Sequence, residues 1–252
     1  MIEKDRLYEI AKKFGLKIHQ QEKHYMQTLT LSGIYSYITN ELVFKGGTAL
    51  FFFQGLDRFS EDLDFTLTNE FEEEKLLNSI KDAFDLLGIE MEIKEVKSIT
   101  GKNYKIRAKG PAYTNEASIS IVDVEISDRK DVILNPEVRQ HVPLYEDIKP
   151  FFVPIMSAEE ILAEKVRAIM NRNKARDVYD LAFLLRKGAR FNVELINKKT
   201  EYYKEKFAFG VFEEELRKKE SNWKTDLHGL IKQIPDFKET VSYILAQSNQ
   251  SK

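Results

Sequence analysis

The chain has 252 residues, 42% hydrophobic and 32% charged, which is enough apolar material to bury a core in one large domain or two smaller ones. Lys and Arg number 39 against 41 Asp and Glu; the formal net charge of -2 excludes a global field drawing the protein to nucleic acid or an anionic membrane, so any such contact needs a local patch. The lack of cysteine excludes disulfides and thiolate metal sites and accords with a reducing compartment. The opening MIEKDRLYEIAKKFG carries charge throughout and lacks the apolar core of a signal peptide, and no later run approaches a membrane span, the nearest being ALFFF. The expectation is a cytoplasmic protein with no membrane partner.

In chain order, apolar residues from Glu3 to about Asn40 recur at helical spacing, with Leu7, Ile10, Ala11 and Phe14 followed by Leu29, Leu31, Ile34, Tyr35 and Ile38. Two helices broken near Gly15 are predicted. ELVFKGG predicts a buried strand entering a tight turn, TALFFFQG a short helix ended by Gly55, and DLDFTL, alternating with period two, a second strand. Phe71 to Leu87 has helical spacing and a closing glycine; IEMEIKEV, NYKIRAKG and ASISIVDVEIS then alternate as strands. Pro136, Pro143, Pro150 and Pro154 oppose helix and predict edge strands and connections, which makes this stretch the best boundary. Beyond it, SAEEILAEKVRAIM opens with Ser157 and Glu160 spaced as a capping box, ARDVYDLAFLLRKG reads as a helix ended by Gly188, and the remainder to Gln247 has helical spacing. The expected class is α+β, with a mixed sheet flanked by helices over residues 1–155 and a helical domain over 156–252.

FKGGTALFFFQGLDRFSEDLDF, from Phe44 to Phe65, carries the chemistry. Asp62 and Asp64, two residues apart on a strand, project from one face, where their hard oxygens suit magnesium. Magnesium keeps several waters and is bound through a few carboxylates plus substrate phosphates, so phosphate must be held nearby. Gly46 and Gly47 let backbone N–H groups approach it, the helix that follows points its positive end there, and Thr48 adds a hydroxyl. A third carboxylate from a neighbouring strand would complete a two-metal site; IVDVEI offers Asp123 or Glu125, with Asp123 preferred. His19, His24, His141 and His228 are scattered with no metal-ligand spacing.

Gly-Gly-Thr, then Asp62-x-Asp64, then an acidic strand resembles the DNA polymerase β-like nucleotidyltransferase superfamily. More narrowly, KGGTALFFFQGLDRFSEDLDF with AEKVRAIMNRNKARDVYDL downstream resembles the AbiEii/AbiGii toxin family of nucleotidyltransferases, found in abortive infection and type IV toxin-antitoxin systems. The resemblance covers Phe44 to Phe65 and Glu159 to Leu185; none is drawn for Arg190 to Lys252. It implies a nucleotidyltransferase-type sheet, Mg2+ as metal, an NTP as co-substrate, a cognate antitoxin, and RNA, at the tRNA 3′ end, as acceptor. It carries Lys165 and Asp177 over as the second-motif lysine and third-motif aspartate, and matches Arg58 and Ser60 to the positions just before the paired aspartates. Gly46, Gly47, Thr48, Arg58, Ser60 and Lys165 would then hold the nucleotide, and Asp62, Asp64 and Asp123 the metals. Lys165 and Arg172 lie near one helical face, so both could meet a triphosphate.

Blander readings stand beside these. The basic stretch from Lys165 to Arg176 could be a solvated face, Asp177 a charge favoured by a helix N-terminus, and Asp180 the partner of a nearby arginine. A protein or small-molecule acceptor, or a catalytically idle nucleotide-binding module, is the alternative function. A P-loop phosphotransferase is disfavoured, because GGTAL lacks the Gly-Lys-Ser/Thr of that mechanism.

Overall fold

The computed structural model describes residues 1–98 and 101–249. Its contacts divide it into two compact units: Met1–Gln54, Glu61–Val132 and Pro136–Ile155 form the first, and Gly55–Ser60, Ile133–Asn135 and Met156–Lys252 the second.

The first unit runs α1 (Lys4–Phe14), α2 (Ile18–Tyr37), β1 (Leu42–Lys45), α3 (Gly46–Phe53), β2 (Asp62–Leu67), α4 (Glu73–Leu86), β3 (Met91–Val96), β4 (Gly101–Ala108), β5 (Ser120–Ser127), β6 (Glu137–His141) and β7 (Phe151–Ile155). Gly15 ends α1 in the left-handed conformation, φ 69°, its N–H bonding the Ala11 carbonyl, which is why the helical pattern breaks there. The strands described form one seven-stranded mixed sheet in the order β3-β4-β5-β2-β1-β7-β6. β2 runs antiparallel to β1 and parallel to β5; the β3–β4, β4–β5 and β6–β7 pairs are antiparallel, and β1–β7 is parallel.

One face of this sheet is apolar. Phe44, Leu63, Phe65, Val122, Val124, Ile126, Tyr104 and Ile106 are all buried, and α2 packs against β5 and α4. At about 25 cal/mol per Å² of apolar surface removed from water, each such side chain adds roughly 1.5–3 kcal/mol and fixes the register, since a one-residue slip would send the whole row to the other side. That opposite face is therefore left to the alternate, polar residues of the same strands.

The proline-rich stretch departs from expectation in one respect. β6 is an edge strand, but β7, which contains Pro154, lies between β1 and β6. Pro154 stands opposite Val138 of β6, and the residue paired with β1 is the next one, Ile155 opposite Phe44, so the ladder to β1 does not need the missing proline N–H.

The second unit holds α5 (Ala158–Asn171), α6 (Ala175–Arg186), α7 (Val193–Glu201), α8 (Phe209–Lys218), α9 (Glu220–Leu227) and α10 (Phe237–Asn249). The Ser157 side chain caps α5 by accepting the Glu160 N–H at 3.2 Å, but the reciprocal half of the predicted capping box does not form. The Glu160 carboxylate instead accepts the backbone N–H groups of Ile133 and Leu134, each at 2.8 Å, and meets the buried Lys199 ammonium at 2.6 Å. A fully buried carboxylate needs a cation and several donors, and three partners outweigh the single N–H a capping box offers.

Candidate active site

The candidate residues fall into two clusters, one in each unit. In the first, sheet register gathers what the sequence spaces 60 residues apart on one face. Asp62 and Asp64 alternate along β2, and across the β2–β5 ladder Asp62 stands opposite Asp123 and Asp64 opposite Glu125. On the other side of β2, Lys45 stands opposite Asp64. On the far side of β5, Asn103 and Lys105 of β4 stand opposite Glu125 and Asp123. All seven positions share a face, because paired residues of adjacent strands point the same way. Asp123 and Glu125 are thus both adjacent to the pair.

The glycine turn is fitted to these carboxylates. β1 passes directly into α3 at Gly46, which has φ 75°, and a Cβ there would run into the Asp64 carboxylate. Thr48 is buried, and its hydroxyl donates to the Asp62 carbonyl, tying the first turn of α3 to β2. With its hydroxyl donating there, Thr48 braces the turn at the N-terminus of α3, where the first N–H groups of a helix lack intrahelical partners. Gly46→Ala is expected to lower stability by about 1–3 kcal/mol, since it combines a left-handed φ with a carboxylate collision. Urea denaturation checks this, and a loss below a few tenths of a kcal/mol would contradict the fit.

Among the described residues, no group of three or more His, Asp or Glu side chains is placed to hold a metal ion. The chemistry of the donor set nevertheless fits magnesium: hard oxygens from two alternating aspartates and a register neighbour, all on one face, match an ion that binds through one or two carboxylates and completes its shell with water and phosphate.

The second cluster is an ion network in the second unit. Arg58 grips Asp180 through two N–H groups, Nε to Oδ1 and Nη2 to Oδ2, both at 2.9 Å, and its Nη1 donates to the Phe59 carbonyl. Lys165 Nζ lies 2.7 Å from Asp180 and 2.9 Å from Asp177, and Arg172 bonds Asp177 through Nε at 2.8 Å. Arg58, Lys165, Asp177 and Asp180 are buried. Burial alone would raise the Asp177 carboxyl, but Lys165 and Arg172 outweigh it and hold it well below the usual carboxylate range. Asp180 is likewise held low, Arg58 and then Lys165 overcoming the same burial. For Lys165 burial favours the neutral amine, yet Asp177 and Asp180 hold the ammonium above its ordinary value. Asp180 is thus held by Arg58, 122 residues away, together with Lys165.

Sequence reasoning passed over Lys105, whose ammonium lies 3.3 Å from Asp123 Oδ1, although the alternation of Asn103, Lys105 and Arg107 in NYKIRAKG already marks a polar strand face. It also passed over Lys199, which no local signal distinguishes from a surface lysine.

A family model described as "Nucleotidyl transferase AbiEii toxin, Type IV TA system" matches residues 32–247. The chain belongs to the AbiEii nucleotidyltransferase toxin family. It is therefore a nucleotidyltransferase of a type IV toxin-antitoxin family, and the match extends through α7 to α10, where the residues alone had given no resemblance. Among solved structures, the AbiEii chain is similar to JHP933 from Helicobacter pylori, with 26% identity over 94% of this chain and 93% of that one and a TM-score of 0.64. It also resembles MenT4, a nucleotidyltransferase toxin from Mycobacterium tuberculosis, with 16% identity over 96% and 88% of the two chains and a TM-score of 0.67, a likeness of fold. No curated protein matches the sequence. No described helix is long and apolar enough to cross a membrane.

Proposed function

We propose that this AbiEii protein moves a nucleoside monophosphate from an NTP to a hydroxyl of RNA, at the 3′ end of tRNA. The acceptor oxygen forms a bond to the α-phosphorus as the bond to the β-phosphate oxygen breaks, and pyrophosphate leaves. The observation that carries this reading is the register of β2 against β5, which sets Asp62, Asp64 and Asp123 on one sheet face beside the glycine turn at Gly46.

Asp62, Asp64 and Asp123 would hold magnesium. Bound there, the metal supplies charge stabilisation for the attacking and leaving oxygens of an in-line displacement. Asp123 would also accept the proton of the attacking hydroxyl. The backbone of Gly46 and Gly47 would approach the triphosphate, with Thr48 bracing the turn and Ser60 as a further donor. On the motif match, Lys165 supplies positive charge for the leaving pyrophosphate, Asp177 and Asp180 keep it an ammonium, and Arg58 positions Asp180. The family reading also supports a cognate antitoxin as partner and a cytoplasmic location.

The test is incubation with Mg2+, each α-labelled NTP in turn and total bacterial RNA, with Asp64→Ala as control. Label in a discrete RNA band, absent with the variant, is expected and names the base. No label in RNA with any NTP, but label in protein or small molecules, would overturn the RNA assignment and keep the nucleotidyltransferase.

A further inference from the structure

We propose that Lys105 is a nucleotide-binding residue held in reserve on Asp123: it neutralises that carboxylate in the metal-free protein and turns to a phosphate of the NTP once a divalent cation takes its place. This rests on the metal assignment above. Three observations carry it. Lys105, Asp123 and Asp62 are successive register partners across β4, β5 and β2, so the ammonium stands in line with the carboxylates and on their face. The pair is loose: 3.3 Å is longer than a good charge-assisted hydrogen bond, and the two side chains are 42% and 33% exposed. An ion pair so open to solvent is weak, so a divalent cation would displace the lysine readily.

What the ammonium would do next follows from its chemistry. It is a compact point charge on a flexible four-carbon stem, suited to phosphate and able to turn without moving the backbone. β4 is also firmly placed, its other face burying Tyr104, Ile106 and Ala108, so only the lysine stem has to move. A lysine that merely decorates a sheet surface would influence neither metal nor nucleotide.

Calorimetry on the full chain separates these cases. Mn2+ alone is titrated first, then an NTP analogue with a non-cleavable α–β bridge at saturating Mn2+, for wild type, Lys105→Met and Lys105→Arg, with circular dichroism confirming the fold. Lys105→Met is expected to bind Mn2+ alone at least as tightly as wild type, yet to bind the analogue about tenfold more weakly, with Lys105→Arg close to wild type. Analogue affinity in Lys105→Met within about twofold of wild type would overturn the role of Lys105 alone. Weaker binding of Mn2+ alone would overturn it too, because the lysine would then support the metal rather than give way to it. Wild type that binds no analogue would overturn the functional reading and this inference with it.

Discussion

Asp64→Ala is expected to lower nucleotide transfer on the order of a thousandfold while leaving the protein folded, with a melting temperature equal to or above that of wild type. The rate loss follows from position. Asp64 alternates with Asp62 on β2, stands opposite Glu125 across the ladder, and touches the glycine turn whose backbone would approach the phosphates. On the proposed assignment, removing it takes away a magnesium ligand beside that turn, and charge stabilisation of this kind is among the largest single contributions to phosphoryl transfer. The stability expectation follows from electrostatics: Asp62, Asp64, Asp123 and Glu125 share one sheet face with Lys45 and Lys105, so four carboxylates face two ammonium groups and deleting one relieves net repulsion in the metal-free protein. Gly46 supplies a further check. Its missing Cβ makes room for the Asp64 carboxylate, so Gly46→Ala should destabilise less in the Asp64→Ala background than alone, a coupling that a double-mutant cycle in urea reads directly. Transfer within tenfold of wild type in Asp64→Ala would remove Asp64 from the metal site.

The polar faces of β2 and β5 were legible because each strand is polar on alternate residues, which sets Asp62 with Asp64, and Asp123 with Glu125, on one side of its strand. Which strand sits beside which was not legible. The pairing of Asp62 with Asp123 is set by a parallel ladder between segments some 60 residues apart, and no local pattern encodes it. The same limit explains Asp180, whose partner Arg58 lies far upstream, and Glu160, which satisfies the capping spacing yet takes backbone donors from Ile133 and Leu134. α2 shows a different limit. Gln21, His24, Gln27 and Thr28 are buried on it, and polar letters at buried helical positions weaken the apolar stripe on which periodicity depends. Their partners explain the burial: the Gln21 amide donates to the Tyr145 hydroxyl at 2.6 Å, and His24 Nδ1 shares that hydroxyl at 2.7 Å. Burial, foremost, drives the His24 imidazole pKa down to about 3, so it stays neutral at physiological pH.

Asp180→Asn should destabilise the protein by about 3–5 kcal/mol at pH 7, the penalty for leaving a buried cation uncompensated. Asparagine keeps the shape but removes the charge that balances Arg58 and Lys165, both within 2.9 Å of a side chain with no exposed surface. If the loss is electrostatic, it has a pH signature. Asp180 is held below the usual carboxylate range in the folded protein, so its contribution is fully present above the unfolded value of about 4 and is lost as pH falls through the lower folded value. Lys165, held above its ordinary value, keeps its contribution throughout neutral pH and loses it only on the alkaline side, beyond about 10. The gap between wild type and Asp180→Asn is therefore expected to be constant from about pH 5 to 8 and to narrow below about pH 4, where a protonated Asp180 resembles the asparagine. Replacing both partners, Arg58→Met with Asp180→Leu, should recover much of the stability, because no charge is then stranded. That comparison separates scaffold from chemistry. A double variant that regains stability yet transfers no nucleotide would make Arg58 and Asp180 the means by which Lys165 is positioned, and one that regains both would confine the pair to holding the second unit together.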